Sequence, residues 1–332
     1  MNISLPFVSV IMPIRNEEGF IARSLGAVLD QDYPAEKIEI LIVDGLSSDR
    51  TRDIVREMSD SRVRLLDNPQ QIVPYALNQG IAAASGEIIV RVDGHCEIAP
   101  DYIRRCVAHL QEDGVDGVGG PLETIGETPI AGSIAVAMSS GFGVGGSAFR
   151  TTQDKTMLVD TVAFPAYTRQ ALAAAGPFDE EFVRNQDDEY NYRLRKMGRR
   201  ILLAADVKAR YYSRSSLRKL GRQYYQYGFW KVRVLQKHPG QMQPRQFVPP
   251  LFVAALLGSG LLALFKPLGR IFFAAAAGSY LLANLLASLL TARQAGREHL
   301  PRLPFIFAIL HLSYGWGFLV GLVRFFNRWP ET

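Results

Sequence analysis

The chain has 332 residues, enough for one large domain with an appendage or for two modest domains. Its 48% hydrophobic and 21% charged content excludes a disordered chain. Two cysteines, Cys96 and Cys106, offer neither a disulfide framework nor a zinc site and predict reduced thiols facing the cytosol, while the net charge of +5 is concentrated late in the chain.

The opening stretch, MNISLPFVSVIMPIRNEE, lacks a basic leader, and its apolar run stops at Arg15-Asn16-Glu17. A signal peptide is therefore not expected, and the N-terminal domain is expected in the cytoplasm. Strands are predicted over Phe7–Ile14, Ile38–Val43, Arg62–Leu66 and Glu87–Val92. Helices are predicted between and after them, over about Glu17–Asp30, Asp49–Met58, Pro74–Ala84 and Pro100–Gln111, the last two opening on proline. This alternation predicts a mostly parallel sheet covered by helices on both faces. Ligands of such sheets bind beyond the carboxyl ends of the strands. Arg15, Asn16, Asp44 and Asp93 all stand at or just past such ends and should converge on one crevice. Residues 116–165 are less regular, with two glycine-rich stretches, DGVGGPL and SSGFGVGGSAF, read either as a loop that covers a nucleotide or as plain surface loops.

Between Arg193 and Arg245 there are 15 Lys or Arg and one acid, Asp206. This run leads into three apolar segments, Leu251–Phe265, Ile271–Leu290 and Leu303–Val323. A basic stretch beside lipid-like sequence points to an anionic membrane face rather than to nucleic acid. The second and third segments are long enough to cross about 30 Å of hydrocarbon. The first reaches that length only if 247–250 joins it, and the flanking charges leave the orientation open. The expected division is a catalytic domain over 1–210, basic-aromatic interfacial helices over 211–248, and a membrane region over 249–332.

Three acidic clusters could carry chemistry. Asp44 follows the strand IEILIV, where a carboxylate can accept a hydrogen bond from the N3–H of a uracil ring or close a turn. Ser47, Ser48 and Asp49 are candidates for capping the next helix. Asp93 and His95, in VDGH, project to one side of an extended segment and offer oxygen and nitrogen to a divalent cation. Asp187, Asp188 and Glu189 open a helix-like run, EYNYRLRKMG, either as bases or as acids favoured by the helix dipole. Further on, RQYYQYGFW offers Arg222, Gln223, Tyr227 and Trp230, either to a diphosphate and sugar or to the membrane interface.

In this order, PIRNE, VDGLSSD, ALNQGIAAASGEIIVRVDGH, GPFDEEF and QDDEYNYRL resemble the inverting family-2 glycosyltransferases, over about residues 7–235. The resemblance implies a GT-A, Rossmann-like α/β domain with a C-terminal transmembrane helical region, like that of membrane-attached exopolysaccharide enzymes. It implies Pro13, Arg15, Glu17, Asp44 and Asn78 at the nucleotide, Asp93 and His95 on Mg²⁺ or Mn²⁺, and Asp187 as base with Asp188 its rival. It places Arg222, Gln223, Tyr227 and Trp230 at the acceptor or diphosphate. The implied reaction moves a hexose, glucose first among them, from a UDP-sugar to a polyprenyl-diphosphate-linked saccharide at the bacterial inner membrane, with the catalytic domain cytoplasmic.

Three departures qualify the match. His95 stands where Asp is usual, Gln186 replaces a Glu, and Gln223-Tyr-Tyr-Gln226-Tyr227 lacks the Arg and Trp of the processive synthases' motif. A polyprenyl-phosphate sugar synthase, a processive synthase and a non-catalytic scaffold are the competing readings. Oligomeric state is not legible.

Overall fold

The structure, a computed structural model, describes residues 5–213 and 216–329, so Arg214, one of the 15 basic residues, lies outside it. The chain forms two compact units. The first combines Met1–Glu123 with Ala148–Tyr212, and the second Thr124–Ser147 with Ser213–Thr332. Residues 124–147, counted above with a 1–210 domain, thus associate with the C-terminal helices.

The first unit begins β1 (Val8–Ile14), α1 (Ile21–Leu29), β2 (Ile38–Asp44), α2 (Thr51–Glu57), β3 (Val63–Asp67), α3 (Val73–Ala83) and β4 (Ile88–Arg91). Then come β5 (Cys96–Ile98), α4 (Tyr102–Glu112), β6 (Gly117–Gly119) and β7 (Leu122–Ile125), the last running past the unit boundary. All seven residues of β1 are buried, the signature of a strand covered on both faces. Helix α1 buries Ile21, Ser24, Leu25 and Val28, a single stripe at helical spacing.

The second unit opens with α5 (Pro129–Met138) and α6 (Gly141–Val144). The chain then returns to the first unit for α7 (Ala148–Thr151), β8 (Met157–Leu158), β9 (Ala166–Thr168), α8 (Arg169–Ala175), α9 (Gln186–Lys196), β10 (Ile201–Leu203) and β11 (Ala209–Tyr212). It ends in the second unit with α10 (Leu217–Lys237), α11 (Val248–Ala263), α12 (Pro267–Ala295) and α13 (Leu303–Arg324).

The main sheet has eight strands in the order β3-β2-β1-β4-β9-β6-β10-β8. The first four are parallel, as predicted, while β9 runs antiparallel between β4 and β6, so the sheet is mixed. The order reverses at β1, which pairs with β2 on one side and β4 on the other. That reversal opens a crevice beyond the carboxyl ends of β1 and β4. One core layer joins Ile11, Leu41, Val43 and Ile89 of the sheet to Leu77, Leu172, Phe178, Tyr190 and Leu194 of the helices and turns over it.

Neither glycine-rich stretch is an open loop. In DGVGGPL, Gly117–Gly119 form buried strand β6, and a Cβ on Gly120 would fall 1.3 Å from the Val207 carbonyl oxygen. In the other, α6 and the left-handed Gly145 and Gly146 lie in the second unit, where the Phe142 ring meets Phe307 of α13 at 5.0 Å.

Among the described residues, three helices of the second unit are long and apolar enough to cross a membrane: Pro244–Ala263, which includes the 3₁₀ turn before α11, Pro267–Ala295 and Leu303–Arg324. The first therefore gains its length from 244–247, beyond the extension considered above. Helix α13 is the most covered, because α10 lies along it. Gly228 of α10 faces the Tyr314 carbonyl, and Gly317 and Gly321 of α13 face those of Tyr225 and Phe229. Small residues let the two backbones approach closely.

Candidate active site

The crevice is built from the turns after β1, β2 and β4 and from the start of α9. Asn16 takes a left-handed conformation (φ 54°) and joins the β1 turn to the β2 turn. Its backbone N–H donates to Ser47 Oγ at 2.8 Å, and its side-chain oxygen accepts from Ser48 N at 2.9 Å. Asp49 accepts from Thr51 N at 3.0 Å and Glu18 N at 3.2 Å, so it tethers the same turns. Pro13 is buried in β1 opposite Val43, and Arg15 is exposed beyond it, its side chain against Gly45.

Asp44 ends β2, as expected, but is fully buried. Its carboxylate accepts from Ser47 N at 3.0 Å and from Arg52 at 2.9 Å. The same arginine reaches Asp67, the register partner of Asp44 at the end of β3, at 2.7 Å. In this arrangement Asp44 organises the turn and Arg52, and the more open carboxylate at these strand ends is Asp67. Asn78 is likewise occupied. It accepts from Phe178 N at 2.8 Å and donates to Phe178 O and Glu180, both at 2.9 Å, holding the GPFDEEF turn against α3.

Beyond β4 the chain places Asp93 and His95 around Gly94. A Cβ on Gly94 would meet the Glu17 Cγ at 2.9 Å, so this glycine makes room for Glu17. Glu17 Oε1 lies 2.9 Å from His95 Nδ1. An ionised carboxylate only accepts, so Nδ1 is the donor in this contact. This is how a carboxylate orients a metal-ligating histidine. The His95 ring also meets Tyr211 edge-on at 5.2 Å.

Asp93 is gripped by Arg91, whose Nε lies 2.8 Å from Oδ1 and Nη2 3.2 Å from Oδ2. The remaining nitrogen, Nη1, donates to Asp187 Oδ1. One guanidinium thus bridges two of the expected site residues. Burial opposes its charge, but Asp187 and Asp93 outweigh burial and raise its pKa, so it stays a cation. Asp187 sits in the first turn of α9, launched by left-handed Asn185 (φ 65°). Its side chain keeps 38% of its surface accessible, so the carboxylate is reachable although protein crowds it. Desolvation raises its pKa from the ordinary value; Arg91 pulls it down, and Asp93 and Asp188 push it further up. Glu189 points elsewhere. It is 2% exposed and pairs with Arg193 at 2.6 Å, which also donates to the carbonyls of Ala175 and Pro177.

No cluster of three or more His, Cys, Asp or Glu that could hold a metal occurs among the described residues. The donors Asp93 and His95 nevertheless fit a cation that takes few protein ligands and fills its shell from phosphate oxygens and water. The observation supporting the fit is the Glu17–His95 contact, which engages Nδ1 and leaves Nε2 as the ring nitrogen to meet a cation.

The last group belongs to the second unit. On α10, Gln223 is buried and donates to Tyr227 Oη at 2.8 Å, while its Oε1 has no protein partner. Trp230 packs on Phe229 and Phe325, with ring centroids 5.6 and 5.7 Å away, so it serves helix packing. Arg222 is exposed.

Residues 9–164 match the glycosyl transferase family 2 profile. A dolichyl N-acetyl-α-D-glucosaminyl phosphate 3-β-D-2,3-diacetamido-2,3-dideoxy-β-D-glucuronosyltransferase of Methanococcus voltae is 30% identical over 331 residues, covering 96% of this chain and 98% of that protein. The chain belongs to glycosyltransferase family 2. The succinoglycan biosynthesis protein ExoA of Rhizobium meliloti is 33% identical over 77% of this chain and 78% of its own. Among solved structures, the mannosyltransferase PcManGT of Pyrobaculum calidifontis, in complex with GDP-Man and Mn²⁺, aligns at TM-score 0.60 with 22% identity, over 96% of this chain and 87% of that one. The GT-A fold is thereby shown, and the enzyme is a glycosyltransferase. Arg91 was not singled out in the sequence; its charge within the apolar run EIIVRV was the available signal.

Proposed function

We propose that this family-2 enzyme transfers a hexose, with inversion, from a UDP-sugar to a saccharide carried on polyprenyl diphosphate, and that it works at the bacterial inner membrane with its catalytic unit in the cytoplasm. The observation that carries the reading is Asp187, a reachable carboxylate of raised pKa facing the same guanidinium as Asp93. A carboxylate of raised pKa holds a proton more strongly and is the better general base. Asp187 takes the proton from the acceptor hydroxyl as that oxygen attacks the anomeric carbon in line. The bond from that carbon to the diphosphate breaks, and its electron pair leaves with UDP. Asp93 and His95 are the residues to hold a divalent cation, Mg²⁺ or Mn²⁺, whose charge neutralises the departing diphosphate when bound. Asp188 remains the second candidate base. Arg222, exposed at the head of α10, is the candidate contact for acceptor phosphate, with Gln223 and Tyr227 behind it.

Two relatives support the acceptor class. The Methanococcus voltae protein is named for a dolichyl-phosphate-linked sugar, and ExoA for succinoglycan biosynthesis. The three apolar helices support the membrane. The test is UDP release by the detergent-purified chain with Mg²⁺ or Mn²⁺, over a panel of UDP-sugars led by UDP-glucose, with and without a short lipid-diphosphate-linked acceptor. Acceptor-dependent release with one sugar supports the reading and names the donor. Release driven by polyprenyl phosphate alone would replace it with a sugar-phosphate synthase. No release with any donor, in folded protein, would overturn it.

A further inference from the structure

Arg91 has no part in the reaction just described, yet its placement is unusual. It closes β4, an apolar strand next to the central strand β1, and its side chain is only 10% accessible. A buried guanidinium is costly unless its nitrogens are matched by acceptors. Here they are matched by two carboxylates, Asp93 two residues along and Asp187 96 residues away. The planar fork divides its nitrogens between them, Nε and Nη2 to Asp93 and Nη1 to Asp187. Lysine, a single point charge, cannot reproduce that division.

The two carboxylates have different proposed tasks, cation binding for Asp93 and proton removal for Asp187. We propose that Arg91 is a positioning residue that holds the base in register with the cation-binding carboxylate, and that its guanidinium competes with the divalent cation for Asp93. The inference rests on the functional reading above. A cation arriving at Asp93 meets a like charge already seated there, and each weakens the hold of the other. Cation loading therefore weakens the Arg91–Asp93 arm, while the separate Nη1 contact keeps Asp187 where the empty site had set it. Before loading, the same guanidinium keeps two neighbouring carboxylates from repelling one another.

The test compares Arg91→Met and Arg91→Lys with wild type, as full-length protein in detergent. Mn²⁺ affinity is read by electron paramagnetic resonance without donor, followed by kcat, donor KM and thermal unfolding. Arg91→Met should bind Mn²⁺ several-fold more tightly than wild type while kcat falls by roughly 100-fold, the scale of a misplaced catalytic group. Arg91→Lys should keep the Mn²⁺ affinity near that of wild type and still lose kcat, because charge without the fork does not align Asp187. A residue needed only for folding would lose Mn²⁺ affinity, kcat and melting temperature together. Unchanged or weaker Mn²⁺ binding in folded Arg91→Met, or full kcat in Arg91→Lys, would overturn the proposal. If Arg91→Met does not fold, Arg91→Gln takes its place with the same expectations. Wild-type protein that binds Mn²⁺ but transfers no sugar would sink the functional reading, and the donor-free Mn²⁺ comparison would still decide the competition.

Discussion

Asp187 and Glu189 stand two positions apart on α9 and meet different surroundings. Asp187 faces the crevice and Arg91, whereas Glu189 faces inward to Arg193. Asp187→Asn removes the proton acceptor and keeps its shape. It is expected to lower kcat by ~10²–10⁴-fold with UDP binding nearly unchanged. Calorimetric titration with UDP and cation beside the release assay checks this, and full activity would move the role to Asp188. Glu189→Ala instead leaves the partly exposed Arg193 without its carboxylate and is expected to cost about 1–3 kcal/mol of stability, read from unfolding in detergent. A third effect depends on pH. His109 contacts Asp113 at 2.7 Å and Asp206 at 2.8 Å. Burial opposes its protonation, but the two carboxylates outweigh it and raise the pKa above 6.5. A raised folded pKa stabilises fully below the unfolded value, and the gain is lost as pH climbs through the folded one. His109→Gln should therefore destabilise at about pH 6 and do so much less at about pH 9. An equal loss at both would exclude the charged pair.

At the level of elements, the strands and helices of the first half were legible because buried parallel strands are apolar throughout and their helices carry one apolar stripe. Helix α5 was not. Its sequence PIAGSIAVAM is apolar on all sides and sits between glycine-rich stretches, so no periodicity marks it. The pairing of α10 with α13 also escaped the sequence, where α10 read as an interfacial helix. A Cβ on Gly317 would lie 2.1 Å from the Tyr225 carbonyl oxygen. Gly317→Ala is therefore expected to cost about 1–3 kcal/mol through overpacking. Gly258 of α11 has nothing within 4 Å of its Cβ position, so Gly258→Ala is the matched control and should be neutral or slightly stabilising. Equal thermal shifts for both would show that the seam is not tight.

At the scale of the whole molecule, the apolar helices bear on membrane attachment. With a rise of 1.5 Å per residue, the 29 residues of α12 extend about 43 Å, more than the hydrocarbon thickness, while the 22 of α13 extend about 33 Å. The full chain is expected to stay with membranes through a carbonate wash and to need detergent for release; recovery in the wash would count against spanning helices. The sequence by itself determined the family, the alternating elements, the apolar helices and the strand-end acids, because these are written in local pattern and in short motifs. Only the tertiary structure decided the partners. It buried Asp44 under Arg52, turned Asn78 to the Phe178 turn, gave residues 124–147 to the C-terminal unit and set Arg91 between Asp93 and Asp187. A side chain's pairing depends on which distant segment the fold brings beside it, and no local spacing encodes that.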